Sequence, residues 1–182
     1  MDTDDFWAAI DSARADIRPD HPFHQALTDR LAALGVPAVI AFEERYQQLH
    51  RRLYRWDVWA AGYLIGGGCS DDGFTDFRAG LIAQGREWYD RAAAHPDGLA
   101  DHPGVVDEER FFYEEAGYAA YYAYARLMAD EDANLYEACE GGGADQEPAG
   151  EDFDFDDDAE MHRRLPRLAA LLLGPVPGSS AD

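Results

Sequence analysis

Residues 55–89 read RWDVWAAGYLIGGGCSDDGFTDFRAGLIAQGREWY. Apolar residues recur at helical spacing on both sides of the glycine triplet Gly66, Gly67 and Gly68. Glycine supplies the positive φ that closes a helix, and Ser70 is a good N-cap. Asp71 and Asp72 suit the positive end of the helix that follows. The stretch is therefore expected to fold as helix, corner, helix, and it holds three of the four tryptophans and one of the two cysteines.

The helical period continues outward. Thr3, Asp4 and Asp5 precede Phe6, Trp7, Ile10, Ala13 and Ile17, an amphipathic helix with an acidic first turn, broken by Pro19 and Pro22. Residues 24–34 read as a second helix through Leu27, Leu31 and Leu34, stopped by Gly35. Pro37 suits a first helical position, and a third helix is expected from there through Tyr46, Leu53 and Trp56 to Leu64. The fourth, after Ser70, places Phe74, Phe77, Leu81, Trp88 and Ala92 on one face and ends at residues 95–98. Gly80 and Gly85 inside that run suggest a close helix approach, since each costs about 1 kcal/mol relative to alanine. One long tyrosine-rich helix is expected over residues 106–129, and a short one over 160–173 that Pro166 limits. No period of two marks a strand.

The formal net charge is -22. Residues 1–100 carry 16 acidic and 10 basic side chains, and residues 101–182 carry 21 and 5, so the acidity belongs to the second half. A field of that sign repels nucleic acid and anionic membranes and admits cationic partners. All 15 basic residues are arginine, which with the Ala, Gly and Asp content suggests a GC-rich genome. No apolar run approaches the ~20 residues of a spanning helix. The N-terminal MDTDDFW lacks the basic and apolar stretches of a signal peptide. Cys69 and Cys139 are expected to be free thiols in a reducing compartment. A cytoplasmic protein follows as the expectation.

Asp57 lies between Trp56 and Trp59. A carboxylate among tryptophans calls for a basic partner or a ligand, and Arg78 and Arg86 on the following helix are the candidates. Asp57 and Asp72 are thus candidate general acids or bases; a structural Asp–Arg pair is the plainer alternative for Asp57. Cys69 is a third catalytic candidate, because a helix N-terminus acidifies a thiol. Its neighbours Asp71 and Asp72 oppose a thiolate, and capping explains the same residues. No Glu-x-x-His, GxGxxG, Walker A, GxSxG or HExxH occurs. Residues 152–160 alternate acids with Phe153 and Phe155 but lack the EF-hand glycine and spacing. No metal and no cofactor are expected. The two phenylalanines could instead dock this segment onto the domain or a partner.

The string WDVW…GGGCSDD…F…IAQGRE, with the opening DTDDFWAAIDSARAD, resembles the bacterial domain-of-unknown-function family numbered 4240, whose members look like small actinobacterial proteins. The similarity spans about residues 3–130. It implies no catalytic assignment. It does imply that Trp56, Asp57, Trp59, Cys69, Ser70, Asp71, Asp72, Gln84 and Arg86 form one functional neighbourhood.

The expectation is an all-α protein, a single orthogonal or antiparallel bundle of about six helices with an acidic disordered segment. Residues 1–138 would form the helical domain, 139–158 an acidic flexible segment, 159–174 a short C-terminal helix and 175–182 a disordered tail. The third and fourth helices would pair in antiparallel fashion about residues 66–70. The expected function is an intracellular module that binds a small molecule or protein of cationic character. Its aromatic and acidic cleft would lie around Asp57 and the GGGCSDD corner, with Trp56, Asp57, Trp59, Ser70, Asp71, Asp72, Gln84 and Arg86 as ligand-binding residues. One alternative is a small-molecule hydrolase or lyase using Asp57 or Asp72 as acid/base. Another is an acidic charge-mimic or immunity-like protein acting through the second half.

Overall fold

The carboxylate of Asp2 accepts a hydrogen bond from Asp5 N at 2.8 Å and so opens helix α1, Thr3–Ala15. Asp4 and Asp5 fill its first turn and Arg14 its last, the polarity that the helix dipole favours. The structure, a computed structural model, describes residues 1–139 and 147–175. Every regular element among them is helical, as the period predicts. Phe6, Trp7, Ile10 and Ala13 of α1 are buried; Ile17, expected on the same face, lies beyond the helix end and is half exposed. Helices α2, Phe23–Leu34, and α3, Val36–Arg52, are separated by Gly35 alone.

The expected single helix from Pro37 to Leu64 is two helices. It breaks at residues 53–55, and α4 spans Trp56–Gly66. Arg55 is extended, with φ -144 and ψ 145. Its guanidinium grips the Asp57 carboxylate through both Nε and Nη2 and donates to Ala93 O at 2.5 Å. Side chains two residues apart on a continuous helix face different ways, so this pair forms only because the helix ends between α3 and α4. Trp56 N, which would otherwise bond within a longer helix, donates to Ala149 O at 3.1 Å.

Ser70 caps α5, Asp71–Ala83, by accepting from Gly73 N at 3.2 Å, with Asp71 and Asp72 in the first turn. The fourth expected helix is also divided: Gly85, at φ +92, ends the run, and α6 spans Arg86–Ala94. A 3-10 turn, Pro96–Asp101, follows. The long helix expected over 106–129 is replaced by α7, Glu108–Phe111, α8, Glu114–Gly117, and α9, Ala119–Met128. Its break has a tertiary cause. Tyr113 N donates to Asp76 O at 3.2 Å, on α5, rather than continuing the helix. The close approach expected at Gly80 is to this break: a Cβ on Gly80 would lie 1.9 Å from Phe111 O.

After α10, Leu135–Ala138, residues 140–146 of the expected flexible segment lie outside the described residues, as do 176–182 of the expected tail. Residues 147–157 lead into α11, Asp158–Arg164, capped by Asp157, and α12, Pro166–Leu172. The proline divides the expected last helix by standing at a helical first position, where its missing N–H costs nothing. Met161, Leu165, Leu168 and Ala169 join the same apolar core as Phe6, Phe42, Phe74, Phe77, Tyr89 and Phe111. α5 lies inside, packed by α3, α4, α6, α7 and α8, while α2 packs on α1, α3 and α9, and α12 on α4 and the 3-10 turn. Among the described residues no helix is long and apolar enough to cross a membrane.

Gly80→Ala should lower the urea midpoint by an amount equivalent to about 1–3 kcal/mol, the usual cost of overpacking, despite alanine's better helix propensity. Gly98→Ala, whose Cβ would meet nothing within 4 Å, should leave the midpoint nearly unchanged. Equal midpoints for the two variants would contradict the packing described.

Candidate functional site

Trp56 and Trp59 stack with their ring centroids 5.5 Å apart and an interplanar angle of 7°. Trp59 also stacks on Phe74 at 4.7 Å, and its indole Nε1 donates to Cys69 O at 3.0 Å. The tryptophan pair and the corner therefore form one neighbourhood. Asp57 is held there by Arg55 and by Val58 N at 2.9 Å. Its partner is thus Arg55, not the expected Arg78 or Arg86. The carboxylate is committed to starting α4.

A cavity of about 360 Å³ opens at the corner, lined by Gly66, Gly68, Cys69, Ser70, Gly73, Glu109 and Phe112. Two of its polar side chains have defined roles. The Ser70 hydroxyl caps α5, and burial pushes the Cys69 thiol up to about 12, with a smaller opposing effect from Trp59. Burial thus disfavours the thiolate, opposite to the acidification that a helix N-terminus would give. Asp71 and Asp72 are exposed in the first turn of α5. Gln84 and Arg86 face other partners at the α5–α6 junction. Gln84 Nε2 donates to Arg110 O at 2.9 Å, and Arg86 pairs with Asp4 at 2.8 Å and Asp90 at 3.6 Å. Arg78 is buried in the core, where it donates to His50 O at 3.4 Å and lies over the Tyr54 and Phe74 rings at 4.6 and 4.8 Å.

The strongest electrostatic perturbation lies elsewhere, on α3. Glu43, Tyr46, Gln47 and His50 occupy one stripe of that helix, spaced at i, i+3, i+4 and i+7. They line a cleft of about 200 Å³ together with Thr75, Asp76 and Ala79 of α5, Glu114 and Gly117 of α8, Tyr118, and Tyr136 of α10. Glu43 is 3% exposed. Burial pushes its pKa up to about 7 from an ordinary value of 4.5, partly offset by Gln47 Nε2, which donates to it at 3.0 Å. Burial also raises the Tyr46 phenol, with Glu43 adding to the effect. The Tyr46 ring stacks on His50 at 5.6 Å, and His50 Nε2 bonds Thr75 O at 3.1 Å. Asp76 is raised first by burial and then by Glu114, Asp72 and Glu115.

Three carboxyl groups and three tyrosines thus line a small concavity whose lining contains no arginine or lysine. A negative, partly desolvated site of this kind favours cations and perturbs its own acids, two marks of functional clefts. Among the described residues, no group of three or more His, Cys, Asp or Glu is placed to hold a metal ion. Sequence reading passes over Glu43 because the α3 stripe shows the spacing of its residues but not that α5, α8 and α10 close over it.

A family described as Protein of unknown function (DUF4240) matches residues 1–126, and the chain belongs to that family. No curated protein and no solved structure matches the chain. The match takes in the tryptophan corner and all of the cleft except Tyr136; residues 147–175 lie beyond it.

The raised pKa has a definite sign in stability. Because the fold favours the protonated Glu43, its contribution is full below the unfolded value near 4.5 and is lost as pH rises through about 7. Glu43→Gln keeps the shape and cannot ionise. By urea denaturation, the variant and the parent should be nearly equal at pH 4. At pH 8 the variant should be more stable, by up to about 3 kcal/mol. A gap independent of pH would contradict a buried, perturbed Glu43.

Proposed function

We propose that this member of the DUF4240 family is a binding module for a small amine-bearing cation, taken up in the cleft of Glu43, Asp76 and Glu114. The observation that carries the reading is the buried Glu43 carboxyl, which lines an open cleft and whose ionisation is disfavoured by burial. A cation placed beside it would offset the cost of ionising it. Tyr46, Tyr118 and Tyr136 supply aromatic surface that suits the same ligand class. The volume is below the roughly 300–1,000 Å³ of pockets for drug-sized ligands, so the ligand is small. The acidic chain, with Cys69 and Cys139 free, suits a reducing cytoplasm and disfavours nucleic acid as a partner.

A second reading makes the cleft catalytic. A carboxyl with a pKa near 7 is matched to acid/base work at neutral pH, and Glu43 then takes the role that the sequence suggested for Asp57 or Asp72 in a hydrolase or lyase. The binding reading has the simpler support, since it requires only the charge and the aromatic lining.

Calorimetric titration with small amines, from methylamine to 1,4-diaminobutane, tests it. Binding should weaken up to about tenfold from pH 8 to pH 6, because the ligand must then displace a proton from Glu43. The heat should vary with the buffer's ionisation enthalpy. Glu43→Gln should abolish the pH dependence. Amines that bind the variant and the parent alike, or bind neither, would refute the proposal.

A further inference from the structure

Residues 149–156, AGEDFDFD, run irregularly along α4 from Trp56 to Tyr63 and end in a turn at 155–156. Ala149 N donates to Tyr54 O at 2.9 Å, and Ala149 O accepts from Trp56 N at 3.1 Å, one step of parallel pairing. Beyond that step the side chains alternate. Phe153 and Phe155 are half-buried, while Asp152, Asp154 and Asp156 are exposed, and residues 155–156 form a turn in which Asp156 N donates to the Asp154 carboxylate at 2.9 Å. The Phe155 ring meets Trp56 at 6.1 Å, Trp59 at 6.3 Å and Tyr63 at 5.4 Å. Tyr63 OH donates to Asp156. Phe153 packs against Phe155 at 5.1 Å and under the Arg164 guanidinium at 4.2 Å.

This arrangement has the parts of peptide recognition: main-chain bonds for affinity and alternate side chains for specificity. The face itself, Trp56, Trp59 and Tyr63 backed by Phe74, lies within the region that defines the family, and the segment covering it lies outside that region. The cover is held on α4 by one backbone step, the Phe155 ring and the Tyr63–Asp156 hydrogen bond, and on α11 by Arg164, which pairs with Glu151 at 3.0 Å. Leu168 and Ala169 of α12, both fully buried, anchor the following chain independently.

We propose that the aromatic face of α4 is a docking site for an acidic–aromatic segment of a partner protein, with phenylalanine and aspartate alternating, and that residues 149–156 are its built-in occupant. The ring of the second phenylalanine sits on Trp56, Trp59 and Tyr63, and the aspartate after it meets the Tyr63 hydroxyl. A partner competes with a tethered segment whose effective concentration is of millimolar order, so the intact chain binds weakly. The proposal is independent of the Glu43 cleft.

Fluorescence anisotropy with a labelled peptide of residues 149–158 tests this on the full chain. Phe155→Ala should bind the peptide at least tenfold more tightly than the unmodified protein. A peptide with both phenylalanines replaced by alanine should not bind either. Equal binding by both proteins, or no binding by a Phe155→Ala protein with native circular dichroism, overturns the proposal. A second measurement needs no variant: hydrogen exchange at Ala149 N of the unmodified chain should quicken under millimolar peptide, and unchanged protection overturns the proposal as well. A dimer of the unmodified chain by light scattering, lost in Phe155→Ala, would assign the face to a second copy and likewise overturn it.

Discussion

The end of α3 is the constraint on which the other elements depend. A helix leaves its last carbonyls without partners of its own. Here the fully buried Tyr89 donates its hydroxyl to Leu49 O at 3.0 Å, and the buried Arg78 reaches His50 O. Leu53 N and Tyr54 N turn back to His50 O and Arg51 O. Side chains from α5 and α6 thus close a helix whose carbonyls lie 28 and 40 residues earlier in the chain. Each contact ties a different element to α3. Losing one would strand a buried polar group, at a cost of about 1–3 kcal/mol.

This closure also divides the molecule's chemistry. Before it, α3 turns Glu43, Tyr46 and His50 toward Asp76 and Glu114. After it, the chain restarts at Trp56 with its direction reset by the Arg55–Asp57 pair, so the tryptophans face the C-terminal segment instead. The two surfaces are products of one helix break.

The net charge of -22 is distributed unevenly in energetic terms. Pairs such as Arg86–Asp4 and Arg126–Asp29 are half or more exposed, and pairs of that kind are worth about 0–1 kcal/mol each. Glu43, a single carboxyl, carries more consequence because it is desolvated. The glycine corner, conspicuous in the sequence, is explained by the capping of α4 and α5: Gly67 is left-handed at the end of one and Ser70 caps the start of the other. Cys69, Ser70, Asp71 and Asp72 need no catalytic role to account for their spacing.

Local rules made much of this legible. The helical period, the Ser70 cap and the stop at Gly35 concern neighbours within one turn, and short-range sterics and hydrogen bonding decide them. The sequence by itself determined an all-helical chain, the family to which it belongs and a tryptophan neighbourhood joined to a glycine corner. The breaks at residues 53–55 and 112–113 follow from bonds to Ala149, Ala93 and Asp76, partners far along the chain. Only the tertiary structure decided that Asp57 pairs with Arg55, that Gln84 and Arg86 stand apart from it, and that Glu43 is the desolvated acid. The physical reason is that periodicity records which side chains share a face of a helix, while burial and charge coupling depend on what the rest of the chain lays over that face.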